Sequence, residues 1–180
     1  MTLGEFFYLY CWYNERKLIK DFMELSLNEL KKFLYEANAH GYAGDDQNIL
    51  PQRSGFHELE YGKPDWYFRD SYSGHYYAPG QEVVYYKNTP VWAMAYSGGM
   101  KEKYHKEYDD FVHETFVFLK EALLEMDKDK PYRGPNSYKH DSWHYLSSVK
   151  GDITDFVGNE KIFHNNELVF EQNFIGGIIK

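Results

Sequence analysis

The chain spells one pattern twice. Gly80-Gln81-Glu82-Val83-Val84 matches Gly158-Asn159-Glu160-Lys161-Ile162, and the match continues at a constant offset of 78. Asn88 falls on Asn166, Val91 on Val169, Trp92 on Phe170, Tyr96 on Phe174, and Gly98-Gly99 on Gly176-Gly177. Upstream the offset is 77, with Trp66 on Trp143 and Gly74 on Gly151. A self-match at fixed period constrains architecture before any motif is read, because each copy has to form the same unit.

The units begin with helices. Ser26-Leu27-Asn28-Glu29 has the form of a capping box, the hydroxyl serving one free amide and the glutamate reaching back to another. The helix it opens carries Leu27, Leu30, Phe33, Leu34 and Ala37 on one stripe and stops near Gly41. From about residue 102 to 126, Tyr104, Tyr108, Phe111, Val112, Thr115, Phe116, Leu119, Ala122, Leu123 and Met126 follow the 3.6 period of a second helix. Strands are expected at Trp66 to Tyr72, Glu82 to Tyr86 and Val91 to Ser97, then at Trp143 to Val149, Glu160 to His164 and Leu168 to Phe174. His57 to Tyr61 adds a possible edge strand. Lys87-Asn88-Thr89-Pro90 and Asn165-Asn166 supply hairpin turns, where asparagine tolerates the left-handed backbone. The expected fold is α+β: two tandem helix-plus-three-strand repeats, mainly antiparallel sheet, with the helices packed on one face.

Residues 1–25 lie outside the repeat as an N-terminal arm; residues 26–180 form a single domain, with halves at about 26–99 and 102–180. The arm holds Phe6-Phe7-Tyr8-Leu9-Tyr10-Cys11-Trp12-Tyr13, apolar enough to demand burial, and a homodimer through it is expected. That run is too short for a membrane span and lacks the basic start of a signal peptide. One cysteine in the chain excludes an internal disulfide framework, and the cytoplasm is the expected compartment. The net charge of -8 argues against direct nucleic-acid binding, which needs clustered Lys and Arg.

Candidate chemistry follows from the repeat. Alternation sets Glu82, Val84 and Tyr86 on one side of a strand, and Glu160 takes the same phase beside Ile162. Carboxylates on otherwise apolar faces must be paired or hydrogen-bonded. Either each pairs with a nearby arginine, or the two converge near a pseudo-twofold axis and mark a cation or amine site or an acid–base pair. Arg69-Asp70 occurs in the first half only, where the second has Leu146-Ser147; it reads as a structural ion pair or as a grip on a polar ligand. Arg133 sits in the rigid linker Pro131-Tyr132-Arg133-Gly134-Pro135-Asn136. Gly98-Gly99 reads as a strand-end bend rather than an anion site, since no helix follows its copy Gly176-Gly177. The spacing of His140, Asp141 and His144 does not hold a metal, and no nucleophile or phosphate-binding motif is present. No cofactor is expected.

Several of these runs together resemble a bacterial and archaeal domain family of unknown function. They are Arg69-Asp70-Ser71-Tyr72 with Gly74, Gly80-Gln81-Glu82-Val83-Val84-Tyr85, Pro90-Val91-Trp92 with Met94 and Tyr96, Arg133-Gly134-Pro135, Gly151-Asp152 with Phe156, Gly158 and Glu160, and Gly176-Gly177. The resemblance runs from about Leu27 to Lys180. Family members occur alone or C-terminal to XRE-type helix-turn-helix regulators, which implies a sensing or ligand-binding module. The arm is too short for a DNA-binding domain.

Two function classes follow. One is a small-molecule binding module with a cleft lined by Tyr72, Trp92, Tyr96, Phe170 and Phe174 and polarised by Glu82, Glu160, Arg69, Asp70 and Arg133; its ligand would be cationic or planar. The other is a hydrolytic enzyme using Glu82 or Asp70 as general base. An interaction scaffold dimerising through the arm is a third expectation.

Overall fold

A computed structural model describes residues 27–42, 49–105 and 109–180; the arm, Cys11 and the capping serine Ser26 lie outside them. In chain order the elements are α1 (Leu27–His40), β1 (His57–Lys63), β2 (Trp66–Tyr72), β3 (Gly80–Tyr86), β4 (Thr89–Met100), a 3-10 turn (Glu102–Tyr104), α2 (Asp109–Leu124), β5 (Ser137–His140), β6 (Trp143–Asp152), β7 (Asp155–His164) and β8 (Glu167–Ile178). All eight strands join one sheet in the order β1-β2-β3-β4-β8-β7-β6-β5, every neighbour antiparallel.

This corrects the expected fold class. The described residues build one continuous eight-stranded sheet with two helices, instead of two tandem helix-plus-three-strand units. Each helix is followed by four strands, because His57–Lys63 pairs fully along β2 and Ser137–His140 along β6. The central strands are also longer than expected. Gly98 and Gly99 stay inside β4 and pair with Gln172 and Glu171, so they are not a strand-end bend. A Cβ at Gly98 would lie 2.3 Å from the Glu171 carbonyl oxygen and 2.4 Å from the Gln172 Cα; glycine permits the close approach that keeps the strand going. The second helix is shorter than the 102–126 expected, its first residues forming the separate 3-10 turn.

Local chemistry explains the hairpins. The β3–β4 turn holds Lys87 and Asn88 at φ 48° and 64°, and the β7–β8 turn holds Asn165 and Asn166 at 49° and 66°. Two consecutive left-handed residues are what a two-residue turn needs to match the twist of its strands. The ladder slips once in each of these hairpins, between Val84 and Tyr85 and between Ile162 and Phe163. Where the two meanders meet, Tyr96 of β4 pairs with Phe174 of β8.

The core lies between the helices and one sheet face. Leu30, Phe33, Leu34 and Ala37 of α1 are buried against Phe68, Val84, Trp92, Met94 and Phe156. Val112, Phe118, Leu119, Ala122 and Leu123 of α2 pack against Tyr145, Ile162 and Phe170. Phe33 stacks on Trp66 with centroids 5.2 Å apart, and Phe118 on Trp143 at 5.5 Å. Trp92, fully buried, donates from Nε1 to the Ile153 carbonyl at 3.0 Å. No described helix is long and apolar enough to cross a membrane.

Because backbone atoms rather than movable side chains crowd Gly98, Gly98→Ala is expected to cost about 1–3 kcal/mol by forcing the β4–β8 seam apart. Urea unfolding followed by tryptophan fluorescence measures it; an unchanged midpoint contradicts the tight seam.

Candidate functional site

The inward phase of four strands delivers one polar residue each to the same place. On β2, Phe68 and Asp70 face inward; on β3, Glu82 and Val84; on β7, Glu160 and Ile162; on β8, Phe170, Gln172 and Phe174. Asp70 is the direct cross-strand partner of Glu82. Asp70 and Glu82 are each 5% exposed and Glu160 is fully buried.

Arg133 reaches this cluster from the linker between α2 and β5. The linker is anchored by Asn38, whose Nδ2 donates to the Pro131 carbonyl at 2.7 Å, and by Tyr132, stacked on Phe156 at 4.3 Å. Gly134 lets the chain pass over Tyr145, for a Cβ there would lie 2.8 Å from the phenol oxygen. So fixed, Arg133 donates from Nε to Glu160 Oε2 at 3.1 Å and from Nη2 to Oε1, a two-pronged carboxylate contact. Its Nη1 lies 3.8 Å from Glu82 Oε1. The guanidinium carbon sits 5.8 Å from the ring centres of both Tyr96 and Phe174.

The two glutamates are served unequally. Glu160 also accepts from the Tyr145 hydroxyl at 2.7 Å and from Gln172 Nε2 at 3.2 Å. Glu82 has no such donors, and its buried Oε2 lacks any hydrogen-bond partner among the described residues. Asp70 Oδ1 accepts from the Tyr96 hydroxyl at 2.7 Å.

Burial sets the electrostatics. It pushes the Asp70 carboxyl up to about 6, against the pull of Tyr96 and Arg133. Burial, together with the neighbouring Asp70, raises Glu82 well above the usual carboxylate range. Burial lowers the pKa of Arg133, but Glu160 more than reverses this and keeps the guanidinium charged. Tyr96 and Tyr145 are pushed far up, first by burial and then by Asp70 and Glu160 respectively, so both remain donors.

A cavity of about 360 Å³ opens onto the Glu82 side of the cluster. Asp70, Glu82, Arg133 and Gln172 line it together with Tyr72, Tyr96 and Phe170, and α2 supplies an apolar wall through Phe116, Leu119 and Leu123. Of the residues singled out in the sequence, Asp70, Tyr72, Glu82, Tyr96, Arg133 and Phe170 line this cavity. Glu160 and Phe174 lie behind Arg133 and do not line it, and Trp92 is spent in the core. Arg69 is on the other side of the sheet. Its partner is the buried Glu58, which also accepts from the Gln52 amide at 2.9 Å and the Ser71 hydroxyl at 3.0 Å. Arg69 and Asp70 are therefore not a pair: consecutive strand residues point to opposite faces. The sequence reading assigned no role to Tyr145 or Gln172, although both sit in the inward phase of expected strands, and had no signal for Tyr42, which follows α1 and lines the cavity. Among the described residues no group of three His, Cys, Asp or Glu is arranged to hold a metal ion.

A family model described as a domain of unknown function (DUF5680) matches residues 70–179. No curated protein and no solved structure matches the chain.

Two outcomes are expected of the cluster. Arg133→Met removes both hydrogen bonds to the fully buried Glu160 and should cost about 3–5 kcal/mol; denaturant unfolding measures it, and an unchanged midpoint contradicts the pairing. Asp70 binds its proton more tightly folded than unfolded, so its contribution is fully present below its ordinary pKa and is lost as pH rises through about 6. Asp70→Asn, which keeps the acceptor for Tyr96, should flatten that part of the stability profile; an unaltered slope between pH 4 and 7 would show that Asp70 does not titrate as its burial requires.

Proposed function

The chain belongs to the DUF5680 family of unknown function, and we propose that it serves as a small-molecule binding module whose ligand enters the cavity beside α2 and reaches Glu82. One observation carries this reading: Glu82 lines the cavity, and its buried Oε2 has no hydrogen-bond partner among the described residues. A buried acceptor left open costs about 1–3 kcal/mol, and a ligand donor removes that cost. At about 360 Å³ the cavity falls within the range of small-molecule sites, with an apolar wall and a few convergent polar groups. The ligand-binding residues of this proposal are Asp70, Tyr72, Glu82, Tyr96, Arg133 and Phe170, with Glu160 and Phe174 holding Arg133 in place.

The same reading takes the two halves as copies of one ancestral unit and the module as a sensor of the kind that family resemblance joins to XRE-type regulators. A cytoplasmic setting and a homodimer through residues 1–25 belong to this proposal too.

The second reading, hydrolysis with Asp70 or Glu82 as general base, draws on one feature. Asp70, with its pKa near 6 beside a second raised carboxyl, has the poise of a group that exchanges protons near neutrality.

A thermal-shift screen of metabolite-sized compounds decides among these. Val117, 43% exposed, lines the cavity from α2, so Val117→Trp fills it while leaving the polar cluster intact. Hits at a hundredfold excess over Kd should stabilise the natural protein by about 2.7 kcal/mol and lose that effect in Val117→Trp. Absence of any hit that Val117→Trp abolishes refutes the binding module, and chemical conversion of a hit that Glu82→Gln stops establishes the hydrolytic reading.

A further inference from the structure

The ladders around the two glutamates are alike in geometry and opposite in chemistry. Glu160 is flanked across the sheet by Gln172 on β8 and Ser147 on β6, and Tyr145, two residues from Ser147, reaches its carboxylate. Glu82 is flanked by Met94 on β4 and Asp70 on β2, with Phe68 two residues from Asp70. Where Glu160 meets an amide and a phenol, Glu82 meets a thioether, a benzyl ring and a second acid. Met94 and Phe68 are buried core residues and donate no hydrogen bond.

Resting on the binding reading, we propose that the ligand is an organic cation, a protonated amine or amidine on a flat or aliphatic body, whose N–H groups dock between Glu82 and Asp70. The charge balance carries this. Three buried carboxyls surround one guanidinium, and that guanidinium is committed by two hydrogen bonds to Glu160. An anionic ligand would be set against Asp70 and Glu82 in a low-dielectric floor. A cation supplies both the missing donor and the missing positive charge, and its body covers the wall of Phe116, Leu119 and Phe170.

Proton release accompanies this docking. The charged or titratable groups facing Glu82 are Asp70 from β2, Tyr96 from β4, Glu160 from β7 and Arg133 from the linker. Tyr42 and Tyr72 line the cavity above them, and His57, His75, His113 and Lys120 line its more exposed parts. Burial favours the protonated form of Glu82 and an arriving cation favours the carboxylate, so docking shifts the balance toward release of a proton to solvent. Affinity therefore rises with pH.

Calorimetric titration with phenethylamine and benzamidine, set against phenethyl alcohol and benzamide, tests the class of ligand. The cations should bind at least about 10-fold tighter than their neutral counterparts at pH 8, weaken as the pH falls to 5, and release protons, seen as heats that depend on buffer ionisation. Met94→Gln gives Glu82 the amide that Gln172 gives Glu160; it should weaken the cations about 10-fold without lowering the unfolding temperature. Glu82→Gln should remove the preference for cations over neutral compounds, and it supplies the readout if Met94→Gln does not fold. Cations that bind no better than their neutral counterparts, including binding of neither, overturn the cation assignment. If neutral compounds alone bind and Val117→Trp blocks them, the ligand class falls while the binding module stands; if no compound of either kind depends on the cavity, both fall.

Discussion

One guanidinium organises the centre of this molecule. Arg133 enters from the connection between α2 and β5 and gives two hydrogen bonds to the fully buried Glu160. Ionised groups are stable there only because they neutralise each other and fill their remaining hydrogen-bonding capacity. The ring centres of Tyr96 and Phe174, paired directly across the β4–β8 seam, lie at equal distance from the charge. Register of the seam and placement of the arginine therefore depend on each other: a slip of one residue would turn Tyr96 and Phe174 to the opposite face.

Symmetry of position with asymmetry of donors is what separates a structural ion pair from an open site. Around Glu160 every oxygen is spoken for by Arg133, Tyr145 or Gln172. Around Glu82 the equivalent ladder positions are Met94 and Asp70, and Glu82 lines the cavity while Glu160 does not. The apolar and acidic neighbours that leave Glu82 short of donors also raise its pKa. Unpaired oxygen and raised pKa are thus two expressions of one cause.

Much of the site was legible because strand alternation is a local property. The phases of Glu82 and Glu160 follow from period two, and the asparagine turns that close their hairpins follow from left-handed backbone preference. The inward cluster around Arg133 follows less directly, since a linker arginine carries no periodicity and its destination is decided by the anchors at Asn38 and Tyr132. Sheet continuity was not legible. Glycine pairs signal interruption in a single sequence, whereas here Gly98 and Gly99 let neighbouring backbone approach closely enough for β4 to run on and join β8. Pairing of Arg69 with Glu58 was missed for a different reason: adjacency in sequence suggested Asp70, but adjacent strand residues cannot share a face.

A fold that leaves one oxygen of a buried acid without a hydrogen bond beside its least exposed arginine among the described residues keeps that arrangement at a cost, and local rules are broken in this way chiefly at functional sites. Burial raises the pKa of Glu82, since a neutral carboxyl loses less on burial than a carboxylate. With Arg133 held by Glu160, and Tyr145 and Gln172 bonded to that same carboxylate, Glu82 keeps a 3.8 Å contact with Arg133, and its Oε2 has no hydrogen-bond partner among the described residues. Saturation of one half is thus the condition for leaving the other half open, and the same antiparallel seam that makes the sheet continuous keeps the two conditions side by side.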